Sequence, residues 1–420
     1  MKLLLTGVKI AGKAKKSNIL IDGNKISKIS ANKLAADKTI DLDGAVIMPS
    51  LVDLHTHSRQ PGDDEKETLY TFSNAAVHGG ITTVCSMPNT NPVVDNPAIV
   101  SWIINESKRI GIVDILPVAS LTIGQKGKSL TEAFALKKAG AVALSEDGRS
   151  IEDPRLMRSA LEYARSAGLL VMLHSEEMRL SKGGAMNEGK ASLELGIKPI
   201  PSIAETIGIL RDLEIAVYVG ARVHICHISL RRSAEIVHMY KKFSPNTITA
   251  ETCPHYLIFT EEDVVGYSTN FKMNPPLRTQ KDKNGLLSAV KSGKIDCIAT
   301  DHAPHLSWEK ENEFELAPFG IVGIETFLSS MITYFVNKGK LSWEDLIRLV
   351  CDNPRAILGM EKVKIKEGSR ADLVVVDPNA TWEVSEETLL SKGKNSPFLG
   401  KELQGKVLVT IRNGKIVYNA

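Results

Sequence analysis

The chain has 420 residues, of which 43% are hydrophobic, so it can bury a large core. Its 52 lysines and arginines nearly balance its 49 aspartates and glutamates, which argues against nucleic acid or an anionic membrane as the main partner. No apolar run is long enough to predict a membrane span. The five cysteines are far apart and form no CxxC pair, so we expect a reducing, cytoplasmic location.

Both ends of the chain are predicted to form short strands joined by tight turns. Residues 1–47 contain KLLLTGVKI, SNILIDGNKISKIS and KTIDLDG, and residues 359–420 contain GSRADLVVVDPNATWEV and GKVLVTIRNGKIVYNA. The turn sequences DGNK and RNGK are typical of β-hairpins. Because neither end can bury much surface alone, we expect the two ends to pair into one small β domain that flanks the central region.

The central region, residues 48–358, alternates short apolar runs with helix-length amphipathic stretches. Two such stretches, residues 130–139 and 153–167, are predicted helices, the second with Asp153 as N-cap and Pro154 at its first position. Eight parallel strands separated by helices predict an α/β fold, a (β/α)8 TIM barrel. An open doubly wound sheet is the alternative, but the first strand lacks the glycine-rich loop expected there. The eight apolar runs are AVIMPSLVDLH, GITTVCSMPN, VDILPVAS, GAVALSED, LLVMLHSE, ARVHICHIS, NTITAETCPH and IDCIATDH.

Nearly every apolar run ends in a polar side chain. In a (β/α)8 barrel the carboxyl ends of the strands meet at one rim, where the reactive groups lie. Singly, such residues are more often core histidines, turn residues or helix caps, but their joint placement favours a metal centre. The set is large enough for one metal ion, or for two that share a carboxylate. Its members are His55, His57, Glu146, Asp147, His174, His227 and Asp301.

Five motifs resemble those of the dihydroorotases, which belong to the amidohydrolase superfamily. They are DLHTHSRQPG, GGITTVCSMPNTNP, MNEG, ATDHAPH and PFGIVGIET, and the likeness extends over essentially the whole chain. The resemblance implies reversible cyclisation of N-carbamoyl-L-aspartate to L-dihydroorotate, a step of de novo pyrimidine biosynthesis. It also implies Zn²⁺ as the cofactor, with one or two ions per chain and two favoured.

The resemblance assigns the metal ligands to two positions. His55, His57 and Asp301 would hold one zinc ion, and His174 and His227 would hold the second. A water activated by the metal would attack the ring amide carbonyl. Asp301 would be the general acid and base, which takes the proton of that water and delivers it to the leaving ring nitrogen.

The ligand between the two metals is the point where this chain departs from many relatives. Many of them use a carboxylated lysine, but Asp147 occupies the expected position here, as in dihydroorotases of the bacterial type. Glu146 is the competing candidate, because neighbouring residues of a strand face opposite ways and only one can easily reach the metals. A single-zinc site in which Asp147 does not bridge is the other alternative.

The substrate residues are predicted from charge and from the resemblance. Arg59 lies two residues past His57, where its guanidinium can hold the substrate carboxylate with two hydrogen bonds. The resemblance adds Asn89, Asn274 and His305 as contacts of the carboxylate and ring. We expect the segment EFELAPFGIVGIET, after the eighth strand, to supply main-chain groups to the ring.

Two other functions are weighed against dihydroorotase. One is a related cyclic amidase, namely an allantoinase, hydantoinase or dihydropyrimidinase, against which Asp147, Arg59 and the MPNT motif count. The other is an inactive homologue that scaffolds a partner, against which the complete ligand set counts. The expected partners are the small-molecule substrate, an aspartate carbamoyltransferase and a second copy of the chain in a homodimer.

Overall fold

The protein is described from a computed structural model that covers residues 2–420. Its centre is a barrel of eight parallel strands, each paired with its neighbours in chain order. A bridge between Thr56 and His302 links the first strand to the segment after the last. This arrangement confirms the predicted (β/α)8 barrel. The eight barrel strands are Leu51–Thr56, Ile81–Ser86, Asp114–Ser120, Ala143–Ser145, Leu170–Leu173, Val223–Ile225, Ile248–Thr252 and Cys297–Ile298.

Helices lie between the strands, and their apolar faces pack with the strands in one core. Seven helices connect successive strands: Leu69–His78, Pro97–Ile110, Ala133–Ala139, Pro154–Ala167, Ile203–Val219, Arg231–Phe243 and Gln280–Lys291. Phe327–Met331, Trp343–Ile347 and Asn353–Ile357 follow the eighth strand, with wider turns at Ile332–Val336 and Arg348–Asp352. Shorter helices are Met178–Ser181, Lys190–Leu195, Pro254–Ile258 and Ser307–Lys310. Within residues 2–420, none of the helices has both the length and the apolar character needed to cross a membrane.

The two helices predicted with bounds are both present. The second begins as expected, because the Asp153 side chain accepts a hydrogen bond of 2.9 Å from the main-chain N–H of Arg155. The first helix starts later than predicted, at Ala133 rather than at residue 130. The residues before it are held by the third strand, since the Thr131 hydroxyl donates to the Ser120 carbonyl at 2.7 Å.

The two chain ends pair into one mixed sheet beside the barrel, as predicted. The connection is made by Val46–Pro49, which runs antiparallel to Leu373–Glu383. The proposed domain limits at residues 47 and 358 stay a prediction. The strands of the sheet are Lys2–Ile10, Lys16–Asp22, Lys25–Ser30, Lys38–Asp41, Val46–Pro49, Leu373–Glu383, Glu402–Arg412 and Lys415–Asn419, and a separate two-residue pair joins Met186–Asn187 to Pro199–Ile200.

Both predicted hairpin turns form, and they contact each other. Asn413 and Gly414 have φ angles of 49° and 74°, which is the left-handed pair that a tight hairpin turn requires. A Cβ atom at Gly414 would lie 1.9 Å from the carbonyl oxygen of Gly23 in the other turn. Glycine is therefore required at position 414 both by conformation and by the close approach of the N-terminal hairpin.

One segment between the last strands leaves the sheet and reaches the barrel rim. The Asn395 side chain accepts a hydrogen bond of 3.0 Å from the His305 main-chain N–H. Its amide nitrogen donates to the carbonyls of Ala303 and Gly320, both at 3.0 Å. The C-terminal part of the chain thus fixes two loops that follow the eighth strand.

Candidate metal centre and active site

The predicted rim residues come together around one carboxylate. Asp147 Oδ1 lies 3.2 Å from His55 Nε2, 3.9 Å from His174 Nδ1 and 3.8 Å from His227 Nε2. Its other oxygen lies 3.5 Å from His57 Nε2. All five side chains are buried. Asp147 therefore lies at the centre of the four histidines predicted from the sequence to be metal ligands.

Asp301 completes this group from the eighth strand end. Its Oδ1 lies 3.1 Å from His57 Nε2 and 3.7 Å from His55 Nε2. Three ligand atoms, from His55, His57 and Asp301, are close enough to hold one ion, and so are those from His55, Asp147 and His227. The metal cluster is His55, His57, Asp147, His174, His227 and Asp301.

The two candidate bridging carboxylates point to different places. Glu146 turns away from the histidines and accepts hydrogen bonds from the Thr122 main-chain N–H, at 3.1 Å, and from the Thr122 hydroxyl. Asp147, the next residue, turns toward them. Neighbouring residues of a strand point to opposite faces, so only one of the two was expected to face the histidines. The hydrogen bonds with Thr122 show that Glu146 is the residue that faces away.

The outer nitrogens of three histidines are held by oxygen atoms. Glu251 Oε1 lies 3.2 Å from His55 Nδ1, and Glu176 Oε2 lies 3.2 Å from His174 Nε2. Asn89 Oδ1 lies 2.8 Å from His57 Nδ1. An oxygen acceptor keeps the ring proton on its side and leaves the lone pair of the other nitrogen directed into the cluster.

The donor set fits a divalent metal ion. His55 Nε2 is buried and makes no well-aligned hydrogen bond among the described residues, although Asp147 Oδ1 lies 3.2 Å away. His174 Nδ1 and His227 Nε2 face each other at 2.9 Å, which leaves two imidazole nitrogens directed at one point. Imidazole nitrogens and carboxylate oxygens in this number are the ligands that zinc and related ions take. The metal cluster can therefore bind a metal ion.

Both carboxylates of the metal cluster are ionised at neutral pH. Burial acts to raise the pKa of Asp301, but the hydrogen bond with His57 and the charge of His55 outweigh it, so its pKa lies below the usual range. Burial also opposes ionisation of Asp147, yet His55 and His227 hold its pKa far below the usual range. Ionised carboxylates are the form that metal ligation requires.

Three residues at the rim adopt a backbone conformation that non-glycine residues rarely use. The φ angles are 60° at Arg59, 36° at His227 and 51° at Asp301. Such strained residues concentrate at functional sites, where the surrounding structure holds them in place. All three belong to the set selected from the sequence.

A cavity of about 190 Å³ opens beside the metal cluster, and all four predicted substrate residues line it. Arg59 donates from Nε to the Pro304 carbonyl at 3.0 Å, and its Nη2 lies 3.2 Å from His305 Nε2. Asn274 donates to Glu176 Oε2 at 3.0 Å. Its side-chain oxygen has no partner within residues 2–420, so it can accept a hydrogen bond from a ligand.

Sequence reasoning missed the buried acids that support the metal cluster. These are Glu251 and Glu176, described above, and Asp53. Asp53 accepts hydrogen bonds from the main-chain N–H of Thr300, at 3.1 Å, and from its hydroxyl, at 2.5 Å. It therefore joins the first strand to the residue before Asp301. For Asp53 and Glu251 the available signal was a charged residue within a strand buried on both faces, because such a charge needs a partner.

A family model and two curated relatives describe the same kind of protein. A family model described as "Dihydro-orotase-like" matches residues 44–233. The curated "Dihydroorotase" of Endomicrobium trichonymphae is 42% identical over 424 aligned residues, covering 100% of both chains. That of Caldicellulosiruptor saccharolyticus is 44% identical and covers 96% of this chain and 95% of its own.

Solved structures of similar fold carry names of cyclic amidases. The L-hydantoinase of Arthrobacter aurescens has a TM-score of 0.86 at 24% identity, covering 99% of this chain and 96% of its own. The dihydropyrimidinase of Brevibacillus agri has a TM-score of 0.82 at 21% identity, covering 100% and 95%. At these identities the likeness concerns the fold alone. The curated relatives, each more than 40% identical over nearly the full length, show that the chain belongs to the dihydroorotase family.

Proposed function

We propose that this protein is a dihydroorotase that interconverts N-carbamoyl-L-aspartate and L-dihydroorotate. Membership of the family makes it a hydrolase of cyclic amide C–N bonds. The observation that carries the proposal is the position of Asp147 among four histidines, beside a cavity that also contains Arg59. That cavity combines ligands for metal ions with a cation for the substrate carboxylate.

The proposed cofactor is Zn²⁺, bound at two positions that share Asp147. When bound, zinc supplies a Lewis acid for the ring carbonyl and lowers the pKa of the attacking water. The first position would use His55, His57 and Asp301, and the second would use His174 and His227. Glu251, Asn89 and Glu176 would hold the imidazoles in the tautomers that ligation needs.

Asp301 is the proposed general base and acid. It lines the cavity and is ionised at neutral pH, so it can accept a proton from the attacking water. In hydrolysis the water oxygen forms a bond to the ring carbonyl carbon, and the bond from that carbon to the ring nitrogen breaks. The proton on Asp301 then passes to the leaving nitrogen. Cyclisation runs through the same steps in reverse and releases water.

Arg59, Asn274 and His305 are the proposed contacts of the substrate outside the metal cluster. One hydrogen bond to the Pro304 carbonyl and proximity to His305 hold the Arg59 guanidinium beside the cavity, where it can pair with a carboxylate. Asn274 offers its free oxygen to a ring N–H. Asn89 contacts His57 and Asp147, so we propose that it orients the metal cluster as well as the substrate.

Turnover of four rings by the purified, zinc-loaded protein tests the proposal. The substrates are L-dihydroorotate, hydantoin, dihydrouracil and allantoin, each at matched concentrations. We expect turnover of L-dihydroorotate alone, because only that ring carries the carboxylate that Arg59 binds. Preferred turnover of another ring would assign the protein to a sister amidase. A chain that binds no zinc and turns over none of the four rings would favour the scaffold alternative.

The other expectations on partners and location stay predictions. They are association with an aspartate carbamoyltransferase, a homodimer and a cytoplasmic location. All five cysteines are free and buried, which agrees with a reducing environment. Light scattering of the purified chain, alone and mixed with the transferase, measures the two associations directly.

A further inference from the structure

One loop of the cavity lining has no regular structure of its own. The wall loop, residues 314–320, follows the short helix Ser307–Lys310 and contributes Phe319 and Gly320 to the cavity. The Phe319 carbonyl oxygen lies 2.9 Å from His305 Nε2. A Cβ atom at Gly320 would lie 3.0 Å from the same nitrogen. A small shift of the wall loop would therefore move a proposed substrate residue.

A buried lysine holds the first part of the wall loop. Lys272 is only 2% exposed, and its ammonium group donates to three main-chain carbonyls of the loop. The distances are 2.6 Å to Phe314, 3.0 Å to Glu315 and 2.6 Å to Ala317. The same nitrogen lies 4.5 Å from the centre of the Phe319 ring, a cation–π distance. Lys272 thus contacts the loop from its start to the residue at the cavity.

A second buried lysine holds the other part of the loop. Lys310 is 6% exposed, and its ammonium group donates to the carbonyls of Pro318 and Gly320, both at 3.0 Å. A longer contact of 3.5 Å reaches the carbonyl of Lys272. The Gly320 N–H donates back to that same Lys272 carbonyl at 3.0 Å. The two lysines and the end of the wall loop therefore form one connected network.

The hydrogen bonds of both ammonium groups go to main-chain carbonyls rather than to carboxylates. Burying an ammonium group is unfavourable unless its donors are satisfied. Here Lys272 donates to three carbonyls of the wall loop and Lys310 donates to two, and these carbonyls of an irregular loop need donors in turn. One nitrogen bound to several carbonyls fixes the path of the chain between them. An apolar side chain of the same length would fill the space without fixing that path.

We infer that Lys272 and Lys310 are positioning residues for the substrate. They hold the wall loop so that Phe319 and Gly320 face the substrate ring and His305 stays beside Arg59. This inference rests on the proposed function, because it assigns the cavity to a ring substrate. Neither lysine belongs to the metal cluster, so the effect of losing one falls on substrate binding and not on metal binding.

The test compares Lys272→Met and Lys310→Met with Lys66→Met. Lys66 is a matched control because its ammonium group pairs at 2.7 Å with the carboxylate of Glu309, the residue before Lys310, and is partly exposed. For each buried lysine we expect KM for L-dihydroorotate to rise about tenfold, with kcat per metal-loaded site changed by less than about threefold. Amide hydrogen exchange of residues 314–320 should accelerate in both variants. Metal content and the control should match the wild type.

A KM within about twofold of wild type in both folded variants would overturn the inference, even if exchange accelerated. Equal losses of kcat with unchanged KM would overturn it as well, since they indicate general damage. If a methionine variant does not fold, Lys310→Gln keeps two N–H donors and should show an intermediate KM. A wild-type KM in Lys310→Gln would count against the role of Lys310 in holding the wall loop. A wild-type protein inactive on L-dihydroorotate would count against the proposed function, and KM would then be compared on whichever ring it hydrolyses.

Discussion

The metal cluster and the wall loop line the same cavity but are built differently. The ligands of the metal cluster stand at the ends of barrel strands, where the parallel sheet fixes their backbone. The wall loop has no strand or helix of its own and is fixed by lysine side chains from two other segments. Chemistry therefore lies on the rigid part of the fold, whereas substrate fit depends on a loop that single side chains hold.

The largest expected effect is at the metal cluster. Asp301→Asn keeps the shape of the side chain but removes the carboxylate that transfers the proton. We expect kcat to fall by about 10²–10⁴-fold or more, the range of a proton-transfer group. Steady-state kinetics with metal content of the same sample measures this. Turnover close to wild type in a metal-loaded Asp301→Asn protein would show that another group moves the proton.

Arg59→Met sharpens the distinction between metal binding and substrate binding. A charge-assisted pair with a carboxylate contributes about 1.5–3 kcal/mol, so kcat/KM for L-dihydroorotate should fall by about 10–100-fold. The metal content should be unchanged. Arg179→Met, at an exposed arginine 3.3 Å from Glu152, is the control. Unchanged kcat/KM in Arg59→Met would show that another residue binds the substrate carboxylate.

Glu251→Gln tests the support behind the metal cluster. The amide oxygen can still accept the His55 ring proton, but the negative charge is lost. We expect zinc affinity to weaken by at least about tenfold, the usual effect of such an outer partner. Competition with a chelator gives the affinity, and kcat at saturating zinc should change less. Unaltered zinc affinity in Glu251→Gln would show that the charge of Glu251 does not support metal binding.

The smallest effect is expected away from both parts of the cavity. Asp153→Ala removes the N-cap of the helix Pro154–Ala167 and should lower the free energy of unfolding by about 1 kcal/mol. Its activity per folded molecule should equal that of wild type. Glu152→Ala, at the exposed neighbouring residue, should change stability less. Equal free energies of unfolding for Asp153→Ala and Glu152→Ala would show that the Asp153 cap does not stabilise the protein.

The sequence predicted the barrel and the metal cluster better than the rest of the cavity. The short apolar runs that alternate with helical patterns identify the strands. Because a barrel brings the carboxyl ends of its strands together, His55, His174 and Asp301 could be assigned to one site before any contact between them was known. The choice of Asp147 over Glu146 as the central carboxylate depends on Thr122, which follows the third barrel strand and binds Glu146. Local pattern could not supply that contact.

The residues that support the wall loop were even harder to predict from the sequence. Asn395 binds His305 across 90 positions of sequence, and Lys272 reaches the wall loop across more than 40. Nothing in the local pattern of either residue distinguishes a side chain bound to distant carbonyls from one exposed to solvent. Such contacts depend on how loops from different parts of the chain fold over the barrel.

Zinc binding stoichiometry, measured with turnover as metal-free protein is titrated, tests the central claim most directly. We predict two zinc ions per wild-type chain, with full turnover only when the second is bound. Asp147→Asn should bind one ion tightly and lose most of its turnover. A wild-type chain that reaches full turnover with one ion, or an Asp147→Asn chain that still binds two, would contradict the shared carboxylate.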